Sequence, residues 1–189
     1  MLEDGGLIEI RWHGRGGQGA VTAAELFAHA AINQGWYAQA SPSFGPERRG
    51  APVMAYNRLD NVPIGIRSEV YEPDVVVVID PSLLKMVNVL EGLKENGTLI
   101  INTRKTINDI RGELGLNYRI AVIDAKKIAL ETLGVPIVNT TMLGAVTRVI
   151  GLVDLEFILD AVKERFSAKA SEMNAKAVTR GFNEVKIGE

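Results

Sequence analysis

The chain has 189 residues, enough for one α/β domain with a sizeable core and too few for two ordinary ones, so residues 1–189 are expected to form a single domain. Its net charge of −2, from 21 Lys and Arg against 23 Asp and Glu, calls for neither nucleic acid nor an anionic membrane as partner. Hydrophobic residues make up 47% of the chain, which excludes a disordered class, and the count of cysteines is 0, which excludes disulfides, a Cys nucleophile and any iron–sulfur cluster held by this chain unaided.

The 2 histidines, His13 and His29, fall in different elements, so no zinc site and no other resident metal is expected. Val75 to Ile79 is the longest uncharged apolar run, far below the roughly 20 residues of a membrane span. Met1 to Gly6 carries Glu3 and Asp4 and no basic residue, unlike a signal peptide. A soluble cytoplasmic protein is the expectation.

In chain order, Leu7 to Trp12 reads as a first strand and Gly14 to Gly19 as a glycine loop. Ala20 to Asn33 follows as a helix, with Val21, Ala24, Ala28, Ala31 and Ile32 at helical spacing and Gly35 as its stop. Trp36 to Ala40 looks extended, and Ser41 to Gly50 is a Pro- and Gly-rich loop. Val53 to Arg58 suggests a strand, with Asp60-Asn61 turning into a short partner, Pro63 to Ile66; this hairpin can add antiparallel strands at an edge. Val75 to Ile79 is apolar throughout, as suits a strand covered on both faces.

Asp80-Pro81 is an N-cap followed by a first-turn proline, which predicts a helix over Ser82 to Asn96. Thr98 to Asn102 and Arg119 to Ile123 are further buried strands. The last third predicts helices over Asn139 to Ile150, from an Asp154 cap through Phe166, and over Ala168 to Phe182. The third has a mainly alanine face, suited to a partner surface or to loose docking. The alternation of strands and helices predicts a Rossmann-like, doubly wound α/β fold: a mainly parallel sheet with helices on both faces.

Gly14, Gly16 and Gly19 satisfy G-x-G-x-x-G between a strand and a helix, where backbone N–H groups can approach an anion. A dinucleotide site also wants an acidic residue about 20 positions on, and Gln34 to Pro46 contains no Asp or Glu. A tight turn without nucleotide, or a contact to another anion or a partner, therefore stands beside the nucleotide reading. Ser41 to Pro52 carries Arg48 and Arg49 on backbone stiffened by proline, with its tip expected beside the glycine loop. One of the two arginines is expected to pair internally, with Glu47 or Glu69, and the other to face outward. A solvated loop is the alternative. Gly14, Gly16, Gln18, Gly19, Arg48 and Arg49 are thus the candidate site for an anion or a partner chain; no catalytic residue is expected.

Gly14-Arg15-Gly16-Gly17-Gln18-Gly19, Ser43-Phe44-Gly45-Pro46-Glu47-Arg48-Arg49-Gly50-Ala51-Pro52, and Pro136-Ile137-Val138-Asn139-Thr140 with Met142-Leu143-Gly144-Ala145 together resemble the gamma subunits of pyruvate/2-oxoacid:ferredoxin oxidoreductases. The resemblance covers nearly the whole chain in order. It implies a multi-subunit enzyme that converts a 2-oxoacid, coenzyme A and oxidised ferredoxin to acyl-CoA, CO2 and reduced ferredoxin, or the reverse. The Arg48-Arg49 pair with Ala51-Pro52 resembles the pyruvate branch. Thiamine diphosphate, magnesium and [4Fe-4S] clusters are then expected on alpha-, beta- and delta-type partners and none on this chain, which has no Gly-Asp-Gly segment for magnesium. The isolated chain is expected to be inactive. A free-standing Rossmann-type nucleotide-binding oxidoreductase and a ligand-free scaffold domain are the competing readings.

Overall fold

In the computed structural model, residues 6–43, 49–115 and 118–188 are described. One seven-stranded sheet has the order β2-β3-β1-β4-β5-β6-β7. Its strands are β1 (Ile8–Arg15), β2 (Tyr37–Pro42), β3 (Pro52–Asp60), β4 (Val75–Val78), β5 (Thr98–Asn102), β6 (Arg119–Ile123) and β7 (Lys186–Gly188). β1, β4, β5 and β6 pair in parallel at the centre, while β3 on β1, β2 on β3 and β7 on β6 are antiparallel. The α/β doubly wound expectation holds, with antiparallel flanks. The helices are α1 (Ala20–Gln34), α2 (Ile107–Leu114), α3 (Ala125–Leu133), α4 (Asn139–Ile150), α5 (Leu155–Arg165) and α6 (Ala168–Glu184). Among the described residues, no helix is long and apolar enough to cross a membrane.

Period-two alternation divides the central strands between two cores. Val75, Val77, Ile100 and Ala121 pack with α1, α3, α4, α5 and α6 on one face. Val76, Val78, Leu99, Ile101 and Ile120 pack with α2 and the β4–β5 connection on the other. The second core stops at β4. On that face β1 and β3 instead carry buried polar side chains, Arg11, His13 and Arg58, roofed by coil. Asn57 joins the first face: it accepts from Trp12 Nε1 at 2.8 Å and donates to the Ala24 carbonyl at 2.8 Å, tying β1, β3 and α1 together.

Three expectations need correction. Pro63 to Ile66 forms no strand; β3 takes β2 as its antiparallel partner instead, and the Ile64 carbonyl only accepts from Gln39 Nε2 at 2.9 Å. Ser82 to Asn96 is not a helix beyond the 3-10 turn Pro81–Lys85, capped by Asp80 as expected. The Arg11 guanidinium holds the Val89 and Glu91 carbonyls, and Gly92 (φ 70) crosses so near the Tyr71 carbonyl that a Cβ would lie 2.0 Å from its oxygen. Those contacts take the carbonyls and the backbone path a helix would need.

The third correction concerns α6, whose small-residue face neither docks loosely nor waits for a partner. It is buried on α4, where a Cβ on Gly144 would lie 2.0 Å from the Val178 oxygen and one on Gly181 2.0 Å from the Thr141 oxygen. Small residues there let two helix backbones touch, so the packing rests on close approach and not on bulk. Asp154 stands at the N-cap of α5, but its carboxylate makes no capping hydrogen bond. The sequence reading does not assign α2 and α3, which are 8 and 9 residues long. Each has a side-chain cap, Thr106 with Asp109 and Asp124 respectively.

Candidate functional site at the carboxyl edge of the sheet

The four parallel strands end on one edge. α1 leaves β1 across one face, and the β4–β5 connection leaves β4 across the other. Neighbouring strands whose connections depart to opposite faces leave a crevice between their carboxyl ends, where open α/β sheets bind ligands. Here that crevice is filled from within. Arg15, the last residue of β1, donates from Nε to Asp80 Oδ2 at 3.0 Å. Its Nη1 donates to the Gly50 carbonyl at 2.8 Å, and its Nη2 to Ser82 Oγ at 2.7 Å. Gln18 Nε2 shares Asp80 Oδ2 at 2.9 Å, and Gln18 Oε1 accepts from the Arg15 backbone N–H at 2.8 Å. Burial opposes the Asp80 charge, but the hydrogen bonds from Ser82, Gln18 and Arg15 outweigh it and hold the carboxyl below its usual range.

The glycines have separate tasks. Gly14 lies in β1, where a Cβ would come within 3.2 Å of Ala20 Cβ, so it permits close packing of strand and helix. Gly16 bridges to Arg49: its N–H donates to the Ala51 carbonyl at 2.9 Å and its carbonyl accepts from the Gly50 N–H at 3.1 Å. Gly19 caps α1 at φ 79, and a Cβ there would lie 2.5 Å from Asn139 Nδ2. The structure therefore brings Gly14, Gly16, Gln18, Gly19 and Arg49 together, with Arg49 exposed. Arg48 and Glu47 lie outside the described residues.

Beside this cluster a cleft of about 660 Å³ opens over β4, β5 and β6, lined by Gln18, Asn102, Arg104, Lys105, Lys126 and Val138 among others. Asn102 stitches its floor, donating from Nδ2 to the Ile79 carbonyl at 2.9 Å and accepting on Oδ1 from the Ala125 N–H at 3.0 Å. Arg104 pairs with Asp124 at 3.2 Å and Lys105 with Glu113, while Lys126 is exposed. α1 and α4 both begin here with no side-chain cap and no acid in the first turn, so their N–H dipoles add positive potential. Such an edge suits an anionic group. Among the described residues no cluster of three or more His, Cys, Asp or Glu could hold a metal ion. Neither His lies in this cluster: His13 is buried under the sheet with its pKa pushed down to about 4 by burial and by Arg11, and His29 pairs with Glu164 on the helical face.

The sequence reading missed Arg15, Asn102 and Asn139 as parts of this edge. Arg15 and Asn139 stood inside quoted motifs, and their contacts depend on Asp80 and Gly19 folding beside them. Asn102 gave no signal except its place at a strand end.

The family model described as pyruvate ferredoxin/flavodoxin oxidoreductase matches residues 9–184. The chain belongs to that family. Within it the chain is of the gamma type. It is 53% identical over 184 residues to the pyruvate/ketoisovalerate oxidoreductases common subunit gamma of Pyrococcus abyssi, covering 97% of this chain and 100% of the relative. Pyruvate synthase subunit PorC of Methanocaldococcus jannaschii is 51% identical, with 95% and 97% covered. The crystal structure of pyruvate oxidoreductase subunit PORC from Thermotoga maritima superposes with a TM-score of 0.86 at 44% identity, covering 97% of this chain and 99% of that one. In this gamma-type chain, then, the polar groups around the glycine loop bond to one another.

Proposed function

We propose that this chain is the non-catalytic gamma-type subunit of a pyruvate-type 2-oxoacid:ferredoxin oxidoreductase, contributing assembly and the approach of coenzyme A. The observation that carries the reading is end-to-end similarity to gamma subunits in a chain without cysteine. Cluster thiolates must then come from elsewhere. Thiamine diphosphate, magnesium and the [4Fe-4S] clusters belong on alpha-, beta- and delta-type partners, and this chain's residues take no bond-breaking step. Its own share is the carboxyl edge: Gly14, Gly16, Gln18 and Gly19 shape the loop, and Arg49 stands exposed beside it for an anionic group or a partner chain. The uncapped starts of α1 and α4, with Arg104, Lys105 and Lys126, support an anion there.

The test is co-expression with the three partner chains. The assembled complex reduces a viologen dye with pyruvate and coenzyme A, and the isolated chain does not. Arg49→Ala in the complex is expected to weaken assembly or raise the KM for coenzyme A, since losing a charge-assisted bond to a buried partner costs about 2–5 kcal/mol against about 0–1 kcal/mol for an exposed pair. Normal native mass with a KM change below about twofold, roughly 0.4 kcal/mol, assigns Arg49 to a solvated surface.

A further inference from the structure

We propose that Arg15 is the positioning residue of this edge: its guanidinium sets the Arg49–Ala51 backbone, and hence the direction in which Arg49 is presented. This rests on the role proposed above for Arg49.

Residues 49–51 touch the glycine loop through two backbone bonds, from Gly16 to Ala51 and from Gly50 to Gly16, at 2.9 and 3.1 Å. Both are made by Gly16, and Ala51 runs on into β3, whose Pro52 pairs with Arg15; neither bond takes the Gly50 carbonyl. Arg15 Nη1 holds that carbonyl at 2.8 Å, in a residue at φ 77 whose backbone conformation only glycine adopts readily. The Arg15 end is itself fixed at separate points, Asp80 through Nε and Ser82 through Nη2. Asp80 is held in turn by the Ser82 N–H at 2.9 Å and by Gln18 at 2.9 Å. The Arg15 side chain is 22% exposed and that of Asp80 18%, so solvent screens the Arg15–Asp80 bond less than a surface pair, while the bonds to Gly50 and Ser82 reach the surface. A planar fork is required, because one ammonium cannot reach acceptors on the 49–51 segment, the β4 end and the 3-10 turn together.

The experiment uses the assembled complex with Arg15→Lys, Arg15→Gln, Arg49→Ala and the Arg15→Gln/Arg49→Ala double variant. Three quantities are read: kcat, KM for coenzyme A, and amide hydrogen exchange of peptides covering residues 49–53. The expected result is exchange at Gly50 faster by about tenfold in both Arg15 variants, with KM raised about fivefold and kcat within about twofold. The double variant should be no worse than Arg49→Ala, because Arg15 acts through Arg49. Unchanged Gly50 exchange overturns the proposal, as does restoration by Lys or an additive double variant. If Arg49→Ala alone leaves KM and assembly unchanged, the reading of Arg49 fails. The Gly50 exchange then decides by itself whether Arg15 sets this backbone. Should Arg15→Gln not assemble, Arg15→Lys carries the exchange measurement.

Discussion

Arg11 Nε donates to His13 Nε2 across 3.0 Å on the buried second face of β1. The acceptor nitrogen must be unprotonated, so the imidazole is neutral with its proton on Nδ1. Burial first, and then the neighbouring guanidinium, push the His13 pKa down to about 4.

That pair makes one contribution to the acid sensitivity of the chain. The folded pKa lies below the unfolded value of about 6.5, so the unfolded state binds the extra proton. The stabilisation is complete above about pH 6.5, falls as pH drops toward 4, and levels off below it; at about 1.4 kcal/mol per pH unit the loss approaches 3 kcal/mol. His13→Gln offers an amide oxygen to Arg11 and is expected to flatten this slope. Urea midpoints measured from pH 7 to 4 check it. An undiminished acid slope in the variant would place the titration elsewhere.

Arg11 also decides the shape of the β4–β5 connection. Its Nη2 donates to the Val89 and Glu91 carbonyls and its Nη1 to Val70 at 3.3 Å. Arg11→Met is expected to lower stability by about 3 kcal/mol, as buried acceptors lose a charged donor. Amide exchange should rise in residues 87–96 more than in β4 or β5. Equal protection in both would show that this segment does not depend on the guanidinium.

Gly144→Ala tests the contact of α4 with α6. A methyl group 2.0 Å from the Val178 oxygen forces the helices apart, and about 3 kcal/mol of destabilisation is expected. Gly112→Ala in α2 meets nothing within 4 Å and is expected to gain about 0.5–1 kcal/mol from helix propensity. Thermal melts of both variants should move in opposite directions; a neutral Gly144→Ala would mean the two helices can separate freely.

NAD(H), NADP(H) and FAD are expected to bind no tighter than millimolar, about −4 kcal/mol. Arg15, Gln18 and Asp80 already bond one another in the crevice, and no Asp or Glu occurs from Gln34 to Pro46 to take a ribose. A calorimetric Kd in the low micromolar range would restore the dehydrogenase reading.

Local pattern alone determined the parallel core of this protein. Val75–Val78, Thr98–Asn102 and Arg119–Ile123 are mainly apolar runs bounded by turn residues, and the helical spacing of α1 marks its limits within a residue or two. The zero count of cysteine needed no fold to exclude a cluster. What the chain does across space was decided by tertiary structure. Ser82 to Asn96 opens behind an N-cap and a first-turn proline, yet a guanidinium some 80 residues earlier takes its carbonyls. The alanine-rich face of α6 looks weak for burial until Gly144 and Gly181 bring two backbones into contact. The glycine fingerprint resembles a nucleotide loop, but Asp80, 62 residues beyond Gln18, turns its polar groups inward. In each case a group's partner is set by what folds beside it rather than by its neighbours in sequence, whether the group is a buried carbonyl, a small-residue helix face or a polar side chain.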